Sequence, residues 1–283
     1  MKNSILFITL ISLQKLTTLG FGSTLNYSVG ARSAAMGNSS VVLQDSWSAQ
    51  HNQAGLAYTK DYSSALYYEN RFFIKEISLK SLVVALPIKK ATLGLLVTNF
   101  GYKLYQDNKI GLSFAKLLTN NFAVGVQFAY LNTRIAEGYG SKSAVAGEIG
   151  FIGKPTKNLT VGAHIFNVTK AAYTAQEKIP TTLRIGIGYS FSDKVQLTAE
   201  TEKNNLNSAL LKTGVEYTPI KALAIRAGVA SAPNYALLSL GFGYKIGNLQ
   251  TDISSNFHPV LGITSQIGIA FSVNKSAKNA EEK

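Results

Sequence analysis

The chain has 283 residues, and only 15% of them are charged, well below the roughly 25% of an ordinary soluble domain. Its mean hydropathy of +0.10 excludes a bundle of transmembrane helices but suits a barrel, whose strands expose only one face to lipid. The net charge of +13 comes from scattered Lys and Arg, which argues against a nucleic-acid partner and favours contact with the anionic head groups of outer-membrane lipid.

The first 22 residues have the pattern of a cleaved signal peptide. Lys2 provides the positive start, residues 5–11 form a short apolar run, and residues 20–22 offer a small-x-small cleavage site. Lys15 interrupts the apolar stretch, so a spanning helix of about 20 residues is not available. The chain has no cysteine, which excludes a disulfide framework and a lipoprotein anchor. We therefore expect an exported protein.

Residues 23–60 precede the repeating pattern that follows and form a lead-in segment. Small residues dominate residues 30–42, which allows close packing against another backbone. Residues 44–53 are predicted to form a short helix, with Asp45 or Ser46 as its N-cap. The simplest interpretation is a folded segment that enters the mouth of a barrel.

From residue 61 to residue 274, runs of about ten residues alternate apolar and polar side chains and are separated by polar breaks. The apolar face is bulky in each run, whereas the opposite face is rich in Gly, Ser, Thr and charge, the reverse of a soluble sandwich. This predicts an all-β fold, a transmembrane antiparallel up-and-down barrel of about 14 strands with an N-terminal lumen segment. The predicted strands are 62–71, 75–86, 91–101, 107–117, 122–133, 143–153, 158–168, 181–192, 194–203, 208–218, 221–230, 235–246, 248–256 and 263–273.

The connections between these strands alternate in length. Every second connection is short, and the intervening ones are mostly longer, notably residues 134–142 and 169–180. Short periplasmic turns and longer outer loops are typical of outer-membrane barrels. Residues 275–283 are polar and are predicted to form a flexible periplasmic tail. Aromatic residues near strand ends, such as Tyr67, Tyr68 and Tyr102, are candidate membrane-interface anchors.

Charged residues lie on the inward face of consecutive later strands. Cross-strand neighbours approach to about 5 Å, so opposite charges there can pair. Two interpretations remain open: ion pairs that stabilise the wall, or a polar conduit or docking surface whose natural partners are Arg32 and Asp45 of the lead-in. The predicted lumen charge network consists of Arg184, Glu200, Glu202, Lys212, Glu216, Arg226 and Asp252.

The lead-in also carries a recognisable motif. It contains Ala31-Arg32-Ser33, then Met36-Gly37, a valine-rich step, Asp45, and an Asn-x-Ala-Gly-Leu-Ala box at residues 52–57, in which Gln53 replaces the usual proline. This motif resembles the PorV/PorQ family of outer-membrane proteins, which share the FadL-like barrel and are common in Bacteroidota. The resemblance implies a fourteen-stranded barrel with a lumen segment and a role in type IX secretion. The motif positions it marks are Arg32, Met36, Gly37, Asp45, Asn52 and Gly55.

No catalytic, metal or cofactor motif is present: the three histidines lack ligand spacing, and glycine pairs such as Gly186-x-Gly188 fall within strands. We therefore expect a protein that is not an enzyme. The first functional hypothesis is an accessory that binds a secretion translocon or a secreted cargo protein. The alternative is a FadL-like transporter of a hydrophobic or small solute, which needs an apolar lumen pocket and a lateral opening. A general porin is disfavoured because the lead-in obstructs the pore.

Overall fold

The computed structural model describes residues 26–232 and 235–273. Fourteen strands form one closed antiparallel barrel in which each strand pairs with its neighbours in sequence and the first pairs with the last. The strands are β1 (Tyr62–Arg71), β2 (Leu79–Pro87), β3 (Thr92–Tyr102), β4 (Tyr105–Thr119), β5 (Phe122–Ile135), β6 (Gly140–Gly153), β7 (Leu159–Phe166), β8 (Thr182–Ser192), β9 (Val195–Asn204), β10 (Leu210–Ile220), β11 (Leu223–Ala232), β12 (Tyr235–Ile246), β13 (Leu249–His258) and β14 (Gly262–Val273).

Alternation of side chains along the strands gives the barrel two different surfaces. On β8, Leu183, Ile185 and Ile187 are exposed on the outside, whereas Arg184 is buried in the lumen. The same outward apolar row recurs around the barrel, which a soluble protein would not leave exposed to water. This exterior is that of an outer-membrane type of barrel, with lipid as the outer solvent.

The predicted strand count and all fourteen strand positions are confirmed, with differences at the ends. The second strand begins at Leu79 because Lys75–Ile77 form a 3₁₀ turn. The predicted loop 134–142 is mostly strand, since β5 and β6 extend through it and leave only residues 136–139 between them. The prediction of mostly longer outer loops was wrong for β3 and β4, which are joined by residues 103–104 alone.

The lead-in lies inside the barrel. It contains two short helices, α1 (Ala31–Ala35) and α2 (Ser48–His51), and a 3₁₀ helix, Gln53–Tyr58. The predicted helix over 44–53 is therefore wrong in extent: α2 begins after Trp47, and the Asp45 carboxylate instead accepts a hydrogen bond from the Trp47 N–H. Nearly all of residues 29–56 are buried, so the segment fills the lumen instead of resting at its mouth.

The two ends of the barrel are distinguished by the chain termini. We call the inner end the one where β1 begins and β14 ends, and the outer end the opposite one. Short turns at residues 120–121, 193–194, 221–222 and 247–248 close the inner end.

No helix in the described residues is long and apolar enough to cross a membrane. The predicted signal peptide 1–22, the first three residues of the lead-in and the tail 275–283 lie outside the described residues.

Candidate functional site

Glycines on the inner wall make room for the backbone of the lead-in. A Cβ added at Gly228 would lie 2.1 Å from the Gly37 nitrogen, and one at Gly214 would lie 2.5 Å from the Met36 carbonyl oxygen. At Gly125 an added Cβ would lie 2.3 Å from the Gln53 carbonyl carbon. Such distances are below any real Cβ contact, so only glycine fits. The lumen is shaped for this segment, which makes direct backbone contact with strands on both sides of the barrel.

An ion cluster near the inner end joins the lead-in to the wall, and we call it the lower ion cluster. Arg32 donates two hydrogen bonds to Glu216, at 2.9 Å from Nε to Oε2 and 2.7 Å from Nη2 to Oε1, and a third to Asp45 at 3.1 Å. Arg226 bonds Glu216 at 2.5 Å and Asp252 at 2.6 Å. Burial would lower the pKa of Arg32, but Glu216 and Asp45 raise it above its ordinary value, so this guanidinium stays charged.

A second, upper ion cluster lies on β8, β9 and β10. Lys212 bonds Glu200 at 3.0 Å and Glu202 at 2.7 Å, and Arg184 bonds Glu202 at 2.8 Å. The second oxygen of Glu200 accepts the backbone N–H groups of Ser40 and Val41, at 2.7 and 2.8 Å. A charged wall residue thus satisfies two backbone donors of the lead-in, which would otherwise be costly to bury.

A third cluster surrounds the buried carboxylate of Glu148. Lys109 Nζ lies 2.7 Å from its Oε1 and His164 Nε2 lies 3.1 Å from its Oε2. Gln53 of the lead-in donates to the same carboxylate at 3.0 Å, and Lys109 also donates to Gln50 at 2.8 Å. Gln53, the position at which the motif departs from proline, therefore makes a contact with the wall that proline cannot make.

His51 of α2 is buried where the lead-in faces the upper ion cluster. Its Nε2 is 2.7 Å from the Val29 carbonyl oxygen. Burial, together with the charges of Arg184 and Lys212, lowers the pKa of His51 to about 3, although the hydrogen bond to Val29 acts in the opposite direction. The imidazole is therefore neutral at physiological pH, with its proton on the nitrogen that donates to Val29.

The first strands present an apolar inner wall that the lead-in covers. Leu79, Val83 and Leu96 are fully buried there and pack in one cluster with Trp47 and Leu56 of the lead-in. An apolar lumen surface of the kind that a transporter needs therefore exists at the first strands, but the lead-in occupies it. Tyr67, a predicted interface anchor, belongs to this cluster and donates to Glu69 at 2.6 Å, so that prediction was wrong.

The outer connection between β7 and β8, residues 167–181, interrupts the wall, and we call it the outer segment. β7 pairs with β6 only from Phe166 opposite Glu148 to Val161 opposite Gly153, whereas β6 continues upward to Gly140. Asn167 turns the chain out of β7 with a φ of 57°. Its side chain bonds the backbone of Ala171 and donates to the Ile179 carbonyl at 2.8 Å, which fixes both ends of the segment.

The outer segment covers a second apolar cluster. The cluster contains Leu131, Phe166 and Ile179, with Ala129 and Ala146 between them, all buried. Tyr173 packs at its margin, and its hydroxyl lies 3.1 Å from that of Thr133. Burial raises the pKa of Tyr173 to about 12, so its hydroxyl stays neutral. An apolar surface therefore lies at the break in the wall, with a single connecting segment over it.

A cavity at the inner end opens to solvent and is different in character. It has a volume of about 300 Å³ and is lined by polar groups that include Asp193, Gln196, Glu216 and Thr218. Within the described residues, no group of three or more His, Asp or Glu side chains is arranged to hold a metal ion.

Similarity to known proteins lies in the structure and not in the sequence. No family model matches the chain, and no curated protein matches its sequence. Among solved structures, a ΔS2 mutant of the TodX monoaromatic hydrocarbon channel superimposes with a TM-score of 0.70 at 12% identity, over 89% of this chain and 100% of that one. The Ralstonia pickettii toluene transporter TbuX gives 0.64 at 14% identity, over 88% of this chain and 98% of its own.

A Pseudomonas aeruginosa FadL homologue gives a TM-score of 0.55 at 13% identity, over 85% of this chain and 96% of its own. The chain has a FadL-like fold. At these identities the likeness establishes the architecture of the FadL-like barrel alone, and these neighbours are described as channels and transporters. The PorV/PorQ resemblance rests on the lead-in motif only.

The motif positions that carry the PorV/PorQ resemblance all lie in the docked lead-in. Met36 is fully buried, Gly37 has a φ of 65°, and an added Cβ at Gly55 would lie 2.4 Å from the Ser48 hydroxyl. Asn52 donates to the carbonyl oxygens of Val41 and of Phe151 in β6, at 2.7 and 3.0 Å. Each of these positions therefore has a role in packing the segment against itself or the wall.

The predicted lumen charges are divided by the structure into two clusters, one around Arg32 and one around Lys212. Sequence reasoning did not single out Glu148, Lys109 or Asn167. The first two had a usable signal, since each is a charged residue at an inward position of an alternating strand. Asn167 carried no such signal, because its role depends on hydrogen bonds to Ala171 and Ile179, which lie later in the outer segment.

Proposed function

We propose that this protein is an outer-membrane channel for a small hydrophobic solute, which enters between β6 and the outer segment. The observation that carries the proposal is the apolar cluster of Leu131, Phe166 and Ile179 at the break in the wall. An apolar solute held in the outer leaflet gains by moving onto such a surface without crossing water. The named structural neighbours, a monoaromatic hydrocarbon channel and a toluene transporter, support this class of solute.

The break is closed by few contacts. The Val168 N–H donates to the Gly147 carbonyl at 2.9 Å, and the Gly147 N–H donates to the Thr169 hydroxyl at 3.0 Å. Beyond these bonds, an exposed ion pair between Lys142 and Glu177, the hydroxyl contact of Tyr173 with Thr133 and the packing of Ile179 hold the segment against the barrel. Exposed pairs contribute little, so the outer segment can move without disturbing the barrel. Passage further inward also requires a shift of the lead-in.

A disulfide across the break tests this route, because the chain has no cysteine of its own. A Cβ at position 147 would lie 3.5 Å from Val168 Cγ1, which is within reach of a disulfide between Gly147→Cys and Val168→Cys. Cells of a Gram-negative host that produce this variant are assayed for uptake of radiolabelled toluene, before and after reduction.

We expect low uptake when the disulfide is formed and recovery to the level of the single-cysteine variants after reduction. The single variants control for the loss of Gly147, where an added Cβ meets the Thr169 methyl group at 2.8 Å. Uptake that is equal in the oxidised and reduced double variant would refute the proposed entry route. Toluene uptake no higher than that of cells with an empty vector would refute the channel itself.

A second candidate is an accessory role in type IX secretion, in which the barrel binds a translocon or a secreted cargo protein. The filled lumen favours it, because nearly all of residues 29–56 of the lead-in are buried inside the barrel. A mild-detergent pull-down from native outer membranes tests this role. A stoichiometric translocon or cargo partner would support it, and recovery of the barrel alone would count against it.

A further inference from the structure

The upper part of β6 is a strand edge without a partner. β6 pairs with β5 along its whole length, up to Gly140 opposite Ile135, but its pairing with β7 stops at Glu148. Residues 140–147 therefore have a neighbouring strand on one side only. The backbone of Gly147 is satisfied by Val168 and Thr169 of the outer segment.

Above Gly147 the backbone groups on this side have no partner. Gly147 directs its N–H and C=O away from β5, and backbone direction alternates along a strand, so Val145, Ser143 and Ser141 point the same way. Within the described residues, no backbone hydrogen bond reaches these three positions from that side. We call residues 140–145 the free β6 edge.

The free β6 edge begins at the outer limit of the hydrocarbon layer and continues above it. On the outside of the barrel, the apolar row ends at Tyr130 and Val145, which are opposite one another. The next outward pairs are Asn132 with Ser143 and Arg134 with Ser141, which are polar. Unpaired backbone groups are excluded from hydrocarbon but tolerated in water, so this edge is accessible from outside the cell.

The edge also lacks the features that usually protect one. It contains no proline and no bulge, and its pairing with β5 is regular. Its one lysine, Lys142, alternates with Ser141 and Ser143 and faces the lumen side, where it pairs with Glu177. An edge of this kind is a template for an added strand.

We propose that the free β6 edge binds an extended acidic peptide segment of a partner protein outside the cell, as an added antiparallel strand. Three backbone positions, Ser141, Ser143 and Val145, provide the hydrogen bonds, which suits a short extended segment. The exposed charged side chains near the edge are three basic residues, Arg134, Lys170 and Lys178, and one acidic residue, Glu137, while Glu177 is already paired with Lys142. This excess of positive charge selects an acidic partner over a basic one.

The test uses the full barrel in detergent micelles and a fluorescein-labelled peptide of alternating valine and glutamate, followed by fluorescence anisotropy. A second peptide has the same side chains but is N-methylated at every residue, which removes the donors from both of its edges. The variant Ser143→Pro removes the backbone N–H that points away from β5, towards the added strand, and leaves the bonds to β5 intact. Ser143→Ala is the matched control, because it loses the same hydroxyl contacts to Tyr130 and Asn132 but keeps the N–H.

We expect the wild type and Ser143→Ala to bind the unmethylated peptide alike, and Ser143→Pro to bind it about tenfold more weakly, as the loss of one or two hydrogen bonds predicts. The methylated peptide should show a similar loss with the wild type. Equal binding of the two peptides, or equal binding by Ser143→Pro and Ser143→Ala, would overturn the proposal. So would tighter binding of a lysine-valine peptide than of the glutamate-valine one.

Discussion

Arg32 of the lead-in and Glu216 of the wall form a bidentate ion pair with hydrogen bonds of 2.9 and 2.7 Å, although the two residues are 184 positions apart in the chain. Such planar, bidentate geometry is specific to arginine. The pair is mostly buried, and Glu216 also accepts a bond from Arg226. It therefore fastens the lead-in to the wall of the barrel.

Removal of this pair should loosen the lead-in. For Arg32→Ala we expect a loss of about 2–4 kcal/mol of unfolding free energy, because a buried carboxylate loses its partner. Arg32→Lys should recover part of this loss, since it restores the charge without the second bond. Urea titration of the barrel in micelles, followed by tryptophan fluorescence, measures both. Identical midpoints for the wild type and Arg32→Ala would show that the pair does not hold the segment.

A bulky side chain on the inner wall should expel the lead-in and open the lumen. Gly228→Val places a side chain where the Gly37 nitrogen lies 2.1 Å from an ideal Cβ. Because the strand itself tolerates valine, the barrel should form with its lumen partly empty. We expect ion conductance in a planar bilayer to rise above that of the wild type.

The matched control for this experiment is Gly268→Ala on β14. Its added Cβ meets only ordinary contacts, at 3.6 Å from Ala31, and it should conduct like the wild type. A rise in conductance with Gly268→Ala, or none with Gly228→Val, would contradict the inference that the wall glycines seat the segment.

The pH dependence of stability should include a contribution from His51. Its folded pKa of about 3 lies below the ordinary value near 6.5, so the unfolded chain binds more protons between these values. The contribution is complete above about pH 6.5 and is lost as the pH falls towards 3, at up to about 1.4 kcal/mol per pH unit. Compared with the wild type, His51→Gln should lose less stability between pH 7 and pH 4.

Urea midpoints at several pH values measure this effect. The same slope in His51→Gln as in the wild type would assign the acid sensitivity to other groups.

Asn167 should control the order of the outer segment without affecting the barrel. Its side chain makes bonds of 2.7 Å from Ala171 N and 2.8 Å to the Ile179 carbonyl oxygen. Asn167→Gly keeps the positive φ accessible but removes these bonds, so we expect trypsin to cut faster after Lys170 and Lys178. Limited proteolysis with mass spectrometry measures this. Unchanged cleavage rates would show that other contacts fix the segment.

Much of the architecture followed from the sequence because each strand meets lipid and lumen alternately. The pattern of Leu183, Ile185 and Ile187 against Arg184 is readable without any knowledge of neighbours, since the choice of face depends only on whether a residue is odd or even. For the same reason the inward charges on β8 to β13 could be predicted, and their proximity followed from the order of the strands. The partnership of Arg32 and Asp45 with these charges was predicted as a hypothesis. Arg32 does contact Glu216 of the wall, whereas Asp45 pairs with Arg32.

Other features depended on distances that sequence does not encode. The contact of Gln53 with Glu148 joins residues 95 positions apart, and nothing local to either residue indicates the other. The early end of β7 depends on Asn167, whose bonding partners come from the return of the same loop.

The sequence by itself determined an outer-membrane type of β-barrel of fourteen strands with an apolar exterior, because the bilayer imposes one repeating local requirement on every strand. Only the tertiary structure decided that the lead-in fills the lumen, that the apolar wall of the first strands is covered, and that the wall is broken above Phe166. These outcomes depend on how the inner surface fits one particular segment. Such a fit depends on many residues from distant positions in the chain, and no periodic pattern in the sequence indicates it.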